Sequence, residues 1–162
     1  DKSLNLKSMS EILEQIIKEK ISADHLMYVS MKYTKTCDVM INLLKRWKIM
    51  MDHSFDGILE QAKKKKLKKI PKKLPTAPKL KVDLIKEVFE DTPEIMDAVK
   101  EYEMFKLIDV LKNTKAGEFR KGVCLTVIYK GEEVRIDLDK LKEYAEILET
   151  FINYTKQFLT KK

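Results

Sequence analysis

Glycine is scarce in this chain, four residues in 162, and no cluster of it could build a phosphate cradle from backbone amides. With no GxSxG and no HExxH either, an ordinary small-molecule enzyme is disfavoured. The only cysteines, Cys37 and Cys124, form no CxxC pair and have no histidine pair nearby, so neither a zinc set nor a disulfide framework is indicated. Their scarcity fits a reducing cytoplasm, where we expect the protein to reside. Histidine occurs twice. His25 stands beside Asp24 without a second histidine at i+4, so we expect no metal site, and no cofactor is implied. Long apolar runs are missing too. The opening DKSLNLKSMSEILEQIIKEK lacks the run of a signal peptide, and no segment approaches the roughly 20 apolar residues of a membrane span. No membrane partner is expected.

What the chain has is charge and aliphatic bulk: 36% charged, 44% hydrophobic, enough for one domain over residues 1–162 with a proper core. The cations are nearly all lysine, with arginine only at Arg46, Arg120 and Arg135. Lysine, glutamate and isoleucine richness is a composition that hyperthermophile proteins share. The net charge of +7 is concentrated, because residues 63–81 hold ten lysines and no acid. Pro71, Pro75 and Pro78 forbid a continuous helix there, so residues 67–81 are predicted to be a basic, extended connector. One reading makes this a solvated linker. The other makes it an arm for phosphates, with Lys63, Lys64, Lys65, Lys66, Lys68, Lys69, Lys72 and Lys73 binding nucleic acid in a salt-dependent, sequence-blind way. No aromatic residue is interleaved with those lysines, so they offer no stacking on bases.

Periodicity predicts a mainly α protein, an antiparallel helical bundle with a long second helix and one β-hairpin before the last helix. A helical hairpin is expected over residues 8–66. Ser8 and Glu11 match a capping box ahead of Ile12, Leu13, Ile16 and Ile17. A second helix is predicted from Ser22 to Lys66, its apolar positions at 26, 29, 33, 37, 40, 44, 47, 51, 55, 58 and 62, with Gly57 as a plausible kink. Helices should occupy 82–112, the later one capped at Thr92-Pro93 and running to about Lys112. GVCLTVIYKGEEVRIDL, within 121–138, reads as a hairpin turning at Lys130-Gly131. Such a hairpin must lie on the helices or pair with a second copy. A terminal helix is predicted over 139–160.

Long paired helices, the stretch SADHLMYVSMKYTKTCDVMINLLKRW and a Pro-rich connector before further helices resemble the archaeal HEPN-type bundles, whose name stands for higher eukaryotes and prokaryotes nucleotide-binding. The signature of that superfamily is an arginine followed after four to six residues by a histidine, and Arg46-WKIMMD-His53 is similar to it. The resemblance implies a nucleic-acid-associated bundle: an RNA- or nucleotide-binding or interaction module, or a metal-independent endoribonuclease with Arg46 and His53 catalytic. In the second case an imidazole, which titrates near neutrality, would take the 2′-hydroxyl proton while the guanidinium stabilised charge on the phosphate. It also implies a homodimer, since sites of this type are composites of two protomers.

The residues themselves leave alternatives open. Arg46 and His53 could simply flank the core, Arg46 snorkelling and His53 pairing with Asp52 or Asp56. Cys37, on the apolar stripe, reads as a small core residue. A purely structural dimerisation module, with the lysine segment a mere connector, is the reading from a different class.

Overall fold

In the computed structural model, which describes residues 8–161, the mainly α architecture with β structure before the last helix is present. The Ser8 hydroxyl accepts from the Glu11 amide at 3.2 Å and opens α1, Met9–His25. This helix does not end where a short first helix should. It continues through a π-helical turn, Leu26–Ser30, into a last α turn, Met31–Tyr33. The chain breaks at 34–36, and α2, Cys37–Lys64, starts afresh with the Thr36 hydroxyl accepting from the Val39 amide at 3.3 Å. The predicted helix from Ser22 to Lys66 is therefore two elements, and the hairpin bends at Thr34 to Thr36.

Position 29 and position 33, expected inward, are consequently exposed. The extra residue of a π turn rotates everything after it by about 100° relative to an α-helix. That rotation carries Met31 into the core and Tyr33 out of it. Gly57 does not kink α2 either. It is buried in the unbroken helix, and a Cβ there would stand 2.9 Å from Ile12 Cγ2 and 3.1 Å from Leu159 Cδ1. Its missing side chain lets α2 pack close to two neighbouring helices.

After the connector, α3 (Pro78–Val88) begins four residues before the predicted position, because Pro78 at the first turn needs no amide partner. Thr92 and Pro93 do open α4 (Pro93–Phe105), but it stops seven residues before Lys112. Residues 106–111 form successive turns that still bury Ile108. Asn113–Ala116, expected to end a helix, is strand β1. It pairs antiparallel with β2 (Cys124–Tyr129), which pairs with β3 (Glu132–Ile136), giving the order β1-β2-β3. The predicted hairpin is β2-β3. Lys130 and Gly131 both have positive φ, 52° and 78°, as a two-residue primed turn demands.

The sheet lies on the helices: Val123, Leu125, Val127 and Ile136 are fully buried in the same core as α1, α2, α4 and the last helix, α5 (Leu138–Thr160). The Asp137 carboxylate caps α5 by accepting from the Lys140 amide at 2.8 Å. Trp47 anchors one aromatic cluster, 5.9 Å from Phe105 and 6.4 Å from Tyr144 between ring centres. Phe55 anchors the other, against Tyr102 and Phe151. Losing such a ring costs about 3–5 kcal/mol, so these residues set the shape on which any site is built.

Candidate functional site

Arg46 and His53 lie on α2, seven residues and therefore about 10 Å apart along one face. Both are half-buried. The Arg46 guanidinium donates to Glu19 Oε2 of α1 at 3.1 Å, and the Gln15 amide donates to the other oxygen, Oε1, also at 3.1 Å. Glu19 is nearly enclosed, its side chain 12% exposed against 40% for Arg46. The arginine thus does more than snorkel: it neutralises a carboxylate that the α1–α2 seam has largely removed from water. His53 does not pair with Asp52 or Asp56. Asp52 accepts from the Tyr102 hydroxyl and from Lys48, both at 2.6 Å, and Asp56 accepts from Lys81 at 2.7 Å. The His53 side chain has no hydrogen-bond or ion-pair partner among the described residues.

The lysine segment is less free than a solvated linker. Its start is a Schellman ending of α2: the Leu67 amide donates to Ala62 at 3.1 Å and the Lys66 amide to Lys63 at 3.1 Å, with Lys66 at φ 52° where glycine is usual. Leu67, Ile70 and Leu74 then pack against the core, so the segment is strapped down at intervals of three and four residues. Just before and between those anchors the cations point outward. Lys64, Lys66, Lys68, Lys72 and Lys73 are exposed and join no ion pair among the described residues. Lys69 is engaged, bound to Glu90 at 3.1 Å, which raises its pKa. Lys63 and Lys65 are half-buried, and Lys65 stands 6.0 Å from the ring centre of Phe158. That ring, which the linear sequence places far from the lysines, is itself packed between Phe89 and Tyr154.

An open groove of about 800 Å³ lies between α4, the β2–β3 turn and the start of α5. Its floor is apolar, with Val99, Met104, Val134 and Tyr144, and its rim carries Lys86, Lys100, Lys130 and Lys140 with Glu101, Glu103 and Glu132. Much of this charge is satisfied internally. Lys86 binds Glu103 and holds its carboxyl below the usual range, Lys140 binds Glu143 at 3.3 Å, and Lys130 lies 5.3 Å from the Tyr129 ring centre. Glu101 is the exception: burial pushes its carboxyl up. No linear pattern signals the groove, because its residues come from five elements.

Cys37 behaves as a core residue. It is fully buried, its thiol donates to the Cys124 carbonyl at 3.4 Å, and burial together with the nearby Glu118 carboxylate pushes its pKa up to about 12, so it is not a thiolate nucleophile. Among the described residues no group of three or more His, Cys, Asp or Glu side chains converges on a possible metal position, and no helix is long and apolar enough to cross a membrane. No family model matches the chain, and no curated protein or solved structure matches it.

Proposed function

We propose that this chain is a HEPN-like, nucleic-acid-associated protein that binds RNA without cleaving it, holding the phosphate backbone on the lysine segment at the end of α2. The observation that carries this reading is the set of five exposed, unpaired lysines on the last turn of α2 and the segment after it, which is strapped to the body at Leu67, Ile70 and Leu74. A strapped cationic row loses less freedom on binding than a loose linker does. Five phosphate contacts on a single strand correspond to a slope of log K against log salt of about −3.5.

The ion pair of Arg46 with Glu19 weighs against the endoribonuclease version, since it ties one Nη of the guanidinium to a nearly enclosed carboxylate whose charge offsets the attraction for a phosphate. Self-association belongs to the same proposal. Ile17 and Ile21 of α1 and Tyr28 of the π turn that follows it are exposed apolar side chains that a second copy could cover. The deciding experiment is binding and cleavage of labelled single-stranded RNA in EDTA at two salt concentrations, with Lys66→Glu/Lys68→Glu and His53→Ala beside wild type. Salt-dependent binding without cleavage, weakened by the double lysine variant, is the expected result. Cleavage that disappears with His53→Ala would replace it by the nuclease reading, and no binding at low salt would end both.

A further inference from the structure

The chain exposes aromatic rings at the opposite end of α2 from the lysine segment. Phe119 is 75% exposed and Tyr33 78% exposed, although both are residue types that folding ordinarily covers at least in part. Phe119 also has φ 67°, in the left-handed region that a bulky side chain rarely adopts. An exposed ring in a strained backbone gains nothing for the core, and such positions persist only where the surroundings hold them.

The surroundings do hold it. The Phe119 amide donates to the Lys35 carbonyl at 2.7 Å, which fastens the β1–β2 loop to the break between α1 and α2. One residue earlier, the Glu118 carboxylate accepts from the Cys37 amide at 3.0 Å, taking up a free donor of the first turn of α2. Gly117, at φ 67°, passes so close to Gly122 that a Cβ would stand 2.5 Å from its carbonyl oxygen, so the loop is pinched at its base. The π turn of α1 meanwhile rotates Tyr33 outward, two residues before the carbonyl that Phe119 binds.

Cations surround these rings. Arg120 and Lys121 follow Phe119, and Lys32 and Lys35 flank Tyr33, with the Lys32 ammonium 5.9 Å from its ring centre. Of the nearby acids, Asp38 is paired with Lys115 at 3.0 Å, while the Glu118 carboxylate, held by the Cys37 amide, keeps its charge among four cations. Two uncovered rings among a net excess of cations match a polymer that alternates flat faces with phosphates, although the Lys35 ammonium also donates to the Lys32 carbonyl at 2.6 Å.

We propose that this tip is a stacking platform for single-stranded nucleic acid, on which Phe119 and Tyr33 each take a base while Arg120, Lys121, Lys32 and Lys35 hold the flanking phosphates. It shares a polymer class with the function proposed above but rests on different residues, about 40 Å away along α2. The test is a titration of the full chain with a short labelled oligouridylate, the matching oligodeoxythymidylate and a duplex of equal length. Phe119→Ala, Tyr33→Ala, Phe119→Trp and Lys66→Glu/Lys68→Glu are compared with wild type, all checked for folding by circular dichroism.

Each alanine variant is expected to lose about 10-fold in affinity for single strands with little change in salt slope and none for the duplex. Phe119→Trp should retain binding, and a 2-aminopurine base in the strand should be quenched by wild type and not by Phe119→Ala. Preference between the RNA and DNA strands tells which polymer the platform favours. Alanine variants that bind single strands like wild type, or that lose strand and duplex alike, would overturn the platform. So would displacement by polyglutamate as effective as by oligonucleotide, which would mark a surface for acidic protein segments. The lysine variant reports separately on the other end: unaltered binding there refutes the phosphate arm and leaves the platform standing.

Discussion

Replacing Arg46 with alanine separates its structural role from a catalytic one. The substitution leaves Glu19 Oε2 without its donor, while Oε1 keeps the Gln15 amide. A solvent-exposed ion pair contributes about 0–1 kcal/mol, and breaking a fully buried one costs about 3–5 kcal/mol. Here the carboxylate is nearly enclosed but the guanidinium is 40% exposed, so water screens the pair and an intermediate loss of about 1–2 kcal/mol is expected. In a chain of this size that corresponds to a fall of about 3–6 °C in Tm. Denaturant unfolding of Arg46→Ala, Glu19→Gln and the double variant would measure the coupling, which should be favourable and at least about 0.5 kcal/mol. His53→Ala, which removes no hydrogen bond among the described residues, should stay within about 0.5 kcal/mol of wild type. An Arg46→Ala variant as stable as wild type, with no coupling to Glu19, would refute the argument and return the guanidinium to the phosphate.

Other substitutions follow from the same geometry. Gly57→Ala should destabilise by about 1 kcal/mol, because overpacking costs about 1–3 kcal/mol and outweighs a helix-propensity gain of about 1 kcal/mol; Ile12 Cγ2 sits on a stiff β-branch and cannot swing away. Stabilisation measured by urea unfolding would mean that α1 and α2 are not so close. Lys66→Gly should raise Tm slightly, since relief of about 1–2 kcal/mol of left-handed strain exceeds the entropy cost of about 0.5–1 kcal/mol; a lower Tm would contradict the Schellman ending. Glu101 has a folded pKa above its unfolded value, so it withdraws stability as pH rises from below 4.5 through that raised value. Glu101→Gln should therefore stabilise at neutral pH, with the gain vanishing in acid, and an equal gain at both pH values would deny the desolvation of the carboxyl.

The bundle was legible because its helices follow apolar periodicity, and α2 shows it best: positions 37, 40, 44, 47, 51, 55, 58 and 62 are all buried. The same regularity misled at its upstream end. Positions 26, 29 and 33 continue the spacing across Thr34 to Thr36, and Leu26 does pack on the core, but a π turn is silent in composition, and it moved 29 and 33 onto a different phase. The signal for the break was present, as Thr36 with Asp38 behind it is an N-cap pattern. Strand β1 was invisible for the opposite reason: Asn113–Ala116 is exposed throughout, so no alternation marks it. Of the candidate site, the lysines could be read directly, because charge density is a property of sequence alone. The partner of Arg46 could not, because Glu19 lies 27 residues away across a helix pairing whose register only the fold determines. Phe119 was overlooked for a related reason. A single aromatic in a loop says nothing until the clamp that exposes it is seen.

The placement of the two basic regions adds a constraint that neither carries alone. α2 is a rigid spacer of about 40 Å with the lysine segment at one end and the aromatic tip at the other. If both ends bind as proposed, a strand too short to span it would engage one end only, with that end's affinity. Once long enough, the second contact becomes intramolecular, and affinity can rise by about 10²–10⁴-fold without any new interaction. Affinity measured against strand length should therefore show a step rather than a gradual increase, and the step should vanish in both Phe119→Ala and Lys66→Glu/Lys68→Glu. A smooth length dependence would mean that the ends bind separate strands, and α2 would then act as a bridge between two polymers rather than a ruler along one.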